Sequence, residues 1–269
     1  MENNYRLYGN PPYGVVLIHG GPGAAGSLSK IALEIDNYCG VIEVLESKET
    51  FLEQIEEIAL IINHMAHKPI TLIGHSWGAF LSLVYCSKYP YNIKKILLIG
   101  CGALEHQYVQ KIQKTRTERI SKEKNNQLNH LLYQLNSANN QEKDEIFKQF
   151  GKFYEEIDSY SPIYEVENPD FPVFYSYQIY DNAWRSFEQL RNSGKLIDII
   201  KNLTNDIVLI HGNYDPHPIE GIEVPLRRIG VNFRTYFLEN CGHSPWIEKF
   251  AKQKFFEILK KEILNITSF

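Results

Sequence analysis

The chain of 269 residues is 43% hydrophobic and 22% charged, and it carries a formal net charge of −4 at pH 7. This is the composition of an ordinary globular protein, and the slight acidity gives no basic surface for nucleic acid or an anionic membrane. The N-terminal residues are polar, and no apolar stretch approaches the roughly 20 residues that span a bilayer. We therefore expect a cytoplasmic protein whose four cysteines form no disulfide framework.

Short apolar runs alternate with amphipathic segments over the first hundred residues. The runs are rich in β-branched residues and indicate buried strands at 14–19, 41–45, 70–74 and 93–99. Apolar residues at helical spacing indicate helices between them, at about 27–37, 50–67 and 77–89. Thr50 and Glu53 predict a capping box at the start of the second helix. Because strands alternate with helices, we predict an α/β fold with a mostly parallel, doubly wound sheet.

The alternation breaks after residue 102. Residues 103–184 lack buried-strand runs, and their pattern is polar and helical. Strand patterns return at 207–211 and 233–238, and a last amphipathic helix is expected at about 245–264. We therefore predict an α/β core made of residues 1–102 and 185–269, with residues 103–184 inserted as a helical cap.

Residues 74–78 read Gly-His-Ser-Trp-Gly and match the Gly-x-Ser-x-Gly nucleophile elbow. In this motif the serine, here Ser76, sits on a strained strand-to-helix turn that projects its hydroxyl clear of the sheet. The two glycines remove Cβ atoms at the point where the strand and the helix cross closely. Since an apolar strand precedes the motif and a helix follows it, we assign Ser76 as a nucleophile.

A glycine-rich turn, His-Gly-Gly-Pro-Gly at 19–23, follows the first predicted strand. No Gly-Lys-Ser/Thr follows it, so the turn fails the test for a phosphate-binding P-loop. A turn of this kind can aim a backbone N–H at a developing oxyanion. We assign the N–H groups of Gly21 and Trp77 as the two donors of an oxyanion hole.

Two further motifs each follow a predicted strand in the second half of the chain. Asp215 ends the run His-Gly-Asn-Tyr-Asp, and His243 ends the run Cys-Gly-His. Since the sites of α/β proteins collect at the carboxyl ends of strands, we expect Ser76, His243 and Asp215 to meet there. Their order along the chain, Ser then Asp then His, is that of an α/β-hydrolase triad. Glu105 is the alternative acid if Asp215 lies elsewhere.

Along the chain, the glycine-rich turn comes first, then the elbow, then the Asp215 motif and the His243 motif, and each follows a predicted strand. In this order they resemble the motifs of the α/β-hydrolase superfamily. Within it they resemble the proline-iminopeptidase-like group, whose marker is the His-Gly-Gly-Pro-Gly turn. The resemblance covers nearly the whole chain outside the predicted cap. It implies the α/β-hydrolase fold, a Ser–His–Asp mechanism with Ser76, His243 and Asp215, and the oxyanion assignment above. The reaction of such a triad implies no cofactor.

The sequence departs from that group in three places. Residues 43–49 read Glu-Val-Leu-Glu-Ser-Lys-Glu where many relatives carry Asp-x-Arg-Gly-x-Gly-x-Ser. Only about 13 residues precede the first predicted strand, so the usual leading antiparallel hairpin is largely missing. In some iminopeptidases an acid beside the catalytic Asp binds the substrate amine. Here Pro216 follows Asp215, and the nearest acid is Glu220.

Aromatic residues are concentrated between residues 147 and 187. An aromatic-walled pocket with a carboxylate suits a small aromatic or cationic group, although a cap can equally use its aromatics as a core of its own. We name as candidate pocket residues Tyr160, Tyr164, Tyr177, Trp184 and His217. The histidines around Asp215 match no common metal-binding spacing, so we expect no metal.

Three functions fit these observations. The first is a serine hydrolase that cleaves a small ester, thioester or amide through an acyl-enzyme on Ser76. The second is an aminopeptidase of the proline-iminopeptidase type, and the third is a non-catalytic ligand-binding protein on the same fold. We predict the first, because every triad member is present and no acid follows Asp215. The expected partner is a small-molecule substrate, without nucleic acid or membrane, and the oligomeric state stays open.

Overall fold

The computed structural model describes residues 4–165 and 168–265. Within these residues the chain forms a seven-stranded main sheet and a separate pair of two-residue strands. In chain order the strands are β1 (Tyr5–Tyr8), β2 (Tyr13–Ile18), β3 (Ala24–Ala25), β4 (Gly40–Val44), β5 (Ile70–His75), β6 (Ile93–Ile99), β7 (Phe174–Tyr175), β8 (Asp206–Gly212) and β9 (Arg234–Leu238). The six strands expected from the sequence are all present, with ends shifted by one residue at most.

The main sheet has the strand order β1-β4-β2-β5-β6-β8-β9. β1 runs antiparallel to β4, and each other neighbouring pair is parallel. Ile18 lies opposite Gly74 in the register of β2 and β5, and Ile99 lies opposite Ile210 in that of β6 and β8. The carboxyl ends of these strands therefore share one edge of the sheet, where the loops that carry the sequence motifs emerge.

The strand β1 was not expected, because the sequence predicts no strand before residue 14. It reads Tyr-Arg-Leu-Tyr and lies at the edge of the sheet, where only Tyr8 is buried. An edge strand of this kind carries no continuous apolar run, so the sequence gives little signal for it. β1 thus adds one antiparallel strand to the edge of the sheet.

Ten α-helices are described within residues 4–165 and 168–265. They are α1 (Ser29–Ile35), α2 (Phe51–Met65), α3 (Trp77–Lys88), α4 (Val109–Arg119), α5 (Lys122–Ser137), α6 (Asn140–Asp158), α7 (Tyr177–Asn192), α8 (Lys195–Ile200), α9 (Glu220–Arg228) and α10 (Lys252–Leu264). The predicted last helix is two elements, a 3₁₀ turn at Pro245–Ile247 and then α10. The capping box at Thr50 and Glu53 is confirmed.

Apolar residues are buried on both faces of the sheet, as a doubly wound architecture requires. One face packs against α2 and α3 and also buries residues of α7, α8 and α9. The other face packs against α1 and α10. The four cysteines are free, and Cys86 and Cys101 lie in this apolar interior. Among the described residues, no helix is long and apolar enough to cross a membrane.

The segment between β6 and β8 is mostly helical, with α4, α5, α6 and α7 as its main elements. It has a small apolar cluster of its own, built around Leu131, Phe147 and Phe153. The predicted boundary at residue 184 falls inside α7, and Phe187 of the same helix packs on Phe51 and Phe80 in the main core. A division of the chain into a core and a cap at these positions therefore remains a prediction.

Candidate active site

Ser76 lies on the tight turn between β5 and α3, at the carboxyl edge of the sheet. Its backbone has φ 50° and ψ −107°, a conformation that costs a non-glycine residue energy and that recurs at functional sites. The turn needs the two flanking glycines. A Cβ at Gly74 would collide with the carbonyl oxygen of Gly78, and a Cβ at Gly78 would collide with that of Ile18. The local geometry is thus that of a nucleophile elbow.

Asp215 and His243 come from the loops after β8 and β9 and meet at the same edge. The His243 Nδ1–H donates to Asp215 Oδ2 at 2.8 Å. The other carboxylate oxygen, Oδ1, accepts from the backbone N–H of His217 at 2.9 Å and from its Nδ1 at 2.7 Å. Asp215 is thus held from both sides, and the bond to its carboxylate places the proton of His243 on Nδ1. Glu105, the alternative acid, instead pairs with Arg228.

The charges of this group are set by burial and by mutual contact. Burial opposes ionisation of Asp215, but the rings of His243, His217 and His211 outweigh it and hold the pKa of Asp215 well below its usual range. Burial also opposes a charge on His243, yet the adjacent Asp215 carboxylate raises the pKa of His243 above 6.5. Burial lowers the pKa of His217 despite the same carboxylate. Asp215 is therefore ionised at neutral pH and favours the protonated form of His243.

The structure brings Ser76 and His243 to the wall of one cavity. Among the described residues, no hydrogen bond joins the Ser76 hydroxyl to the His243 ring, so that contact remains a prediction. His75, which precedes the nucleophile, is buried, and its Nε2 lies 3.1 Å from the backbone oxygen of His243. Its ring packs edge-on against Trp246. His75 is thus a packed residue of the interior.

The glycine-rich turn after β2 passes beside the nucleophile. Gly21 has φ +61°, the left-handed region that favours glycine, and it lines the same cavity as Ser76. Trp77 is the first residue of α3, so its N–H has no acceptor within the helix. Trp77 directly follows Ser76, and a Cβ placed at Gly20, the residue before Gly21, would lie 3.1 Å from Ser76 Cβ. The catalytic role of the Gly21 and Trp77 N–H groups remains a prediction.

A buried ion pair supports this turn. His19 Nε2 contacts the carboxylate of Glu46, and both side chains are 1% exposed. The other ring nitrogen of His19 lies 3.0 Å from the carbonyl oxygen of Gly20. The contact with Glu46 and the nearby carbonyl oxygen of Gly20 both favour the protonated form of His19. Burial opposes this charge, but Glu46 raises the pKa of His19. Glu46 lies in the segment that departs from the proline-iminopeptidase-like pattern.

A cavity of about 670 Å³ extends from Ser76 into the helical segment between β6 and β8. Of the five candidate pocket residues, Trp184 and His217 line it. The side chains of Tyr160, Tyr164 and Tyr177 are not part of its wall.

Each of those three tyrosines has a different environment. Tyr160 is 46% exposed and packs edge-on against Tyr214, and Tyr164 is 58% exposed. Tyr177 packs edge-on against Phe147 among the cap aromatics. Sequence proximity to other aromatics therefore did not predict which rings face the cavity.

Three charged residues in the cavity wall were not singled out from the sequence, namely Arg116, Glu188 and Arg191. Arg116 makes a two-pronged ion pair with Asp158, in which its Nε donates to Oδ1 at 2.9 Å. Arg191 is buried, and its guanidinium lies 3.4 Å from a carboxylate oxygen of Glu188. Arg116 and Asp158 are 42 residues apart, so no local pattern predicts their pairing. Glu188 and Arg191 are three residues apart on α7, a spacing that predicts an ion pair but not that the pair borders a cavity.

The carboxylate of Glu248 ties the His243 loop to the end of α6. It is fully buried and accepts three backbone N–H bonds, from Tyr160 at 2.7 Å, Ser161 at 2.7 Å and Gly242 at 2.8 Å. The next N–H along the loop, that of His243, donates to the backbone oxygen of Asp158 at 2.9 Å. The position of His243 therefore depends on contacts with the helical segment as well as on Asp215.

Asp215, His217 and His243 could also form a metal site, because one ligand atom from each lies within 4.8 Å of the others. Two ligand atoms on one tetrahedral metal ion are about 3.4 Å apart. The Asp215 oxygens instead lie 2.7 and 2.8 Å from the two histidine nitrogens, which are hydrogen-bond distances. The geometry favours a hydrogen-bonded acid–base group.

The fold and this site define a class of α/β proteins in which a strained serine and an Asp–His pair share the carboxyl edge of a parallel sheet. The sequence profile described as the alpha/beta hydrolase fold matches residues 29–250, and the chain belongs to this family. The fold class and the family predicted from the sequence are thereby confirmed.

Two sequence relatives are informative. A proline iminopeptidase of Lactobacillus crispatus (strain ST1) is 34% identical over 119 residues, which are 36% of this chain and 39% of that protein. The match thus spans well under half of that relative's length. A relative from Mycoplasma genitalium is 24% identical over 283 residues, covering 91% of this chain and 90% of that protein.

Two solved structures show the same fold at low sequence identity. The structure of VinJ has a TM-score of 0.68 and 17% identity, and it covers 98% of this chain and 95% of that chain. A carboxylesterase structure from the thaumarchaeon Nitrososphaera gargenis has a TM-score of 0.64 and 20% identity, and it covers 97% of this chain and 93% of that chain.

Proposed function

We propose that the protein is a serine hydrolase that cleaves a small ester, thioester or amide through an acyl-enzyme on Ser76. One observation carries the proposal, the 2.8 Å hydrogen bond from His243 to Asp215 at the wall of the cavity that Ser76 also lines. The strained backbone of Ser76 and the family match support the same conclusion.

In this mechanism the Ser76 hydroxyl oxygen attacks the substrate carbonyl carbon while its proton passes to His243 Nε2. Asp215 stabilises the resulting imidazolium through Nδ1. The negative charge on the former carbonyl oxygen is held by the N–H groups of Gly21 and Trp77. Collapse of the tetrahedral intermediate breaks the bond to the leaving group, which takes the proton from His243. Water, deprotonated by His243, then attacks the acyl-enzyme, and collapse of that intermediate returns the proton to Ser76.

The test is covalent labelling with a fluorophosphonate, followed by peptide mapping. We expect one label, on Ser76, in the wild type and none in Ser76→Ala, and we expect strongly slowed labelling in His243→Ala. Ser137→Ala is the matched control, because Ser137 is an exposed serine at the end of α5. Absence of label on Ser76 in the folded wild type would contradict the proposal and favour the non-catalytic binding protein.

A proline-iminopeptidase-like aminopeptidase is the second candidate, and Glu188 is the observation in its favour. This carboxylate lies in the cavity wall, where it could receive a substrate ammonium, and the Lactobacillus relatives carry the iminopeptidase name. Against it, the Arg191 guanidinium already lies 3.4 Å from Glu188, and this cation would repel a substrate ammonium at the same carboxylate. We therefore place the ester, thioester or amide hydrolase first.

The remaining expectations from the sequence belong to this proposal. We propose that the partner is a small-molecule substrate, that neither nucleic acid nor a membrane is bound, and that the protein is cytoplasmic. The free state of the four cysteines supports a reducing compartment. Fractionation of cells that express the tagged protein tests the location.

A further inference from the structure

The deep part of the cavity is walled by apolar side chains of the helical segment. Ile112 of α4, Leu128 of α5 and Phe147, Phe150 and Phe153 of α6 contribute to it. A volume of about 670 Å³ is in the range that holds ligands of drug size. A substrate with only a two-carbon acyl group would leave most of this space unused.

Each arginine of the wall has a carboxylate beside it. Arg116 pairs with Asp158, and Arg191 lies 3.4 Å from Glu188. Each pair combines one cation with one anion, so its net charge is zero. Among the described residues the buried Arg191 Nε has no hydrogen-bond partner, and it could donate to an uncharged acceptor. Since burying an unpaired charge is costly, the cavity favours an uncharged apolar group over an ammonium or a carboxylate.

Gly151 stands in the middle of the wall that α6 contributes. Phe147 lies one turn before it and Tyr154 one turn after it, and both line the cavity, so a side chain at position 151 would enter the same space. A Cβ placed at Gly151 has no atom within 4 Å. Its backbone is helical, and a glycine inside a helix costs about 1 kcal/mol relative to alanine. Helix formation therefore gives no reason for glycine at this position.

The same residue marks the place where the cavity meets the surface. Gly151 is exposed as well as cavity-lining, and so are Gln113 and Thr117 on α4. Gln113 and Thr117 are four residues apart and thus on one face of α4. The opening of the cavity therefore lies between α4 and α6.

We propose that this cavity is a channel for an elongated, uncharged apolar group of the substrate, and that Gly151 is the specificity-determining residue that keeps the channel open. The proposal rests on the hydrolase function proposed above and names its substrate class. It implies that kcat/KM increases with the length of the apolar group until the channel is filled.

The test compares p-nitrophenyl acetate, butanoate and octanoate as substrates of the wild type and of Gly151→Leu. Each added methylene should raise wild-type kcat/KM about fourfold until the channel is full. In Gly151→Leu the ratio of kcat/KM for octanoate to that for acetate should fall at least tenfold, because the added side chain fills the part of the cavity between α4 and α6, which only the longer acyl group needs. The matched control is Gln149→Leu, an exposed position of α6 outside the cavity wall.

Leu at position 151 meets open space and favours the helix, so the variant should fold, with a thermal midpoint no lower than that of the wild type. A second comparison, of kcat/KM for octyl acetate and for ethyl acetate, tests whether the channel instead holds an apolar group on the alcohol side of the ester. A preference there that Gly151→Leu removes also supports the channel. Equal rates for all chain lengths, or an equal loss for acetate and octanoate in Gly151→Leu, would overturn the proposal.

A binding measurement separates the channel from the chemistry. Calorimetric titration of Ser76→Ala with octanamide should show binding that the additional change Gly151→Leu weakens at least tenfold. If the fluorophosphonate does not label Ser76 but octanamide binds in this way, the channel is supported and the hydrolase function is contradicted. If Ser76 is labelled but octanamide does not bind and chain length has no effect on kcat/KM, the hydrolase function is supported and the channel is contradicted.

Discussion

Glu248→Gln tests whether the link between the His243 loop and α6 positions the catalytic base. In the wild type the two carboxylate oxygens accept N–H bonds from Tyr160, Ser161 and Gly242 in a fully buried site. The glutamine keeps the shape but has one oxygen, so it can satisfy two of these donors while its NH₂ group faces the third. A hydrogen bond to a charged group is worth about 1.5–3 kcal/mol, and we expect a loss of stability of about 3 kcal/mol.

The effect on catalysis should appear in kcat. Gly242 immediately precedes His243, so a weaker anchor allows the imidazole to shift, and a misplacement of about 1 Å can cost on the order of 10²-fold in rate. We expect kcat to fall about 10- to 100-fold for a p-nitrophenyl ester. KM should change little, because Glu248 is not part of the cavity wall. Steady-state kinetics and a denaturant melt measure the two effects.

Glu262→Gln is the matched control. Glu262 is 4% exposed, and it accepts bonds from Lys95 Nζ and the Tyr236 hydroxyl at 2.7 Å each. Lys95 lies near the amino end of β6, at the opposite edge of the sheet from Ser76. The control should lose stability without losing kcat. If both variants lose similar stability and neither loses kcat, Glu248 does not position His243.

Three further predictions concern pH and substrate. Asp215→Asn should lower kcat by about 10⁴ and move the acid limb of kcat/KM to lower pH, because the general base His243 must be neutral and Asp215 raises its pKa; an unmoved limb in pH–rate profiles would contradict this. Short acyl esters should be turned over more readily than prolyl amides, as measured by kcat/KM corrected for intrinsic reactivity. A higher kcat/KM for proline p-nitroanilide than for p-nitrophenyl acetate would restore the iminopeptidase assignment. In that case Glu188→Gln should raise KM for aminoacyl substrates and leave KM for esters unchanged. Burial opposes ionisation of Glu262, but Arg234 and Lys95 lower its pKa to about 2, so its contribution to stability is present above pH 4.5 and is lost as pH falls toward 2; denaturant melts should show that Glu262→Gln removes this part of the acid sensitivity.

Six of the seven strands of the main sheet, and the motifs at its carboxyl edge, could be predicted from the sequence alone. Buried parallel strands need β-branched apolar runs, and these are local patterns that can be read without knowledge of the fold. The elbow around Ser76 is likewise a local pattern, because its two glycines are needed where a strand and the helix that follows it pack closely. Asp215 and His243 could be placed because each follows a strand, and carboxyl ends of parallel strands meet at one edge.

The cavity and the contacts that support it depend on packing between segments that are distant along the chain. Glu248 reaches Tyr160 across 88 positions of the chain, and Arg116 reaches Asp158 across 42. Sequence periodicity carries no information on contacts of that range, because it reports only which face of one element is apolar. For the same reason the sequence analysis named Tyr160, Tyr164 and Tyr177 as pocket residues, although none of them lines the cavity. Likewise, nothing in the sequence around Gly151 predicts that this part of α6 borders open space in the cavity.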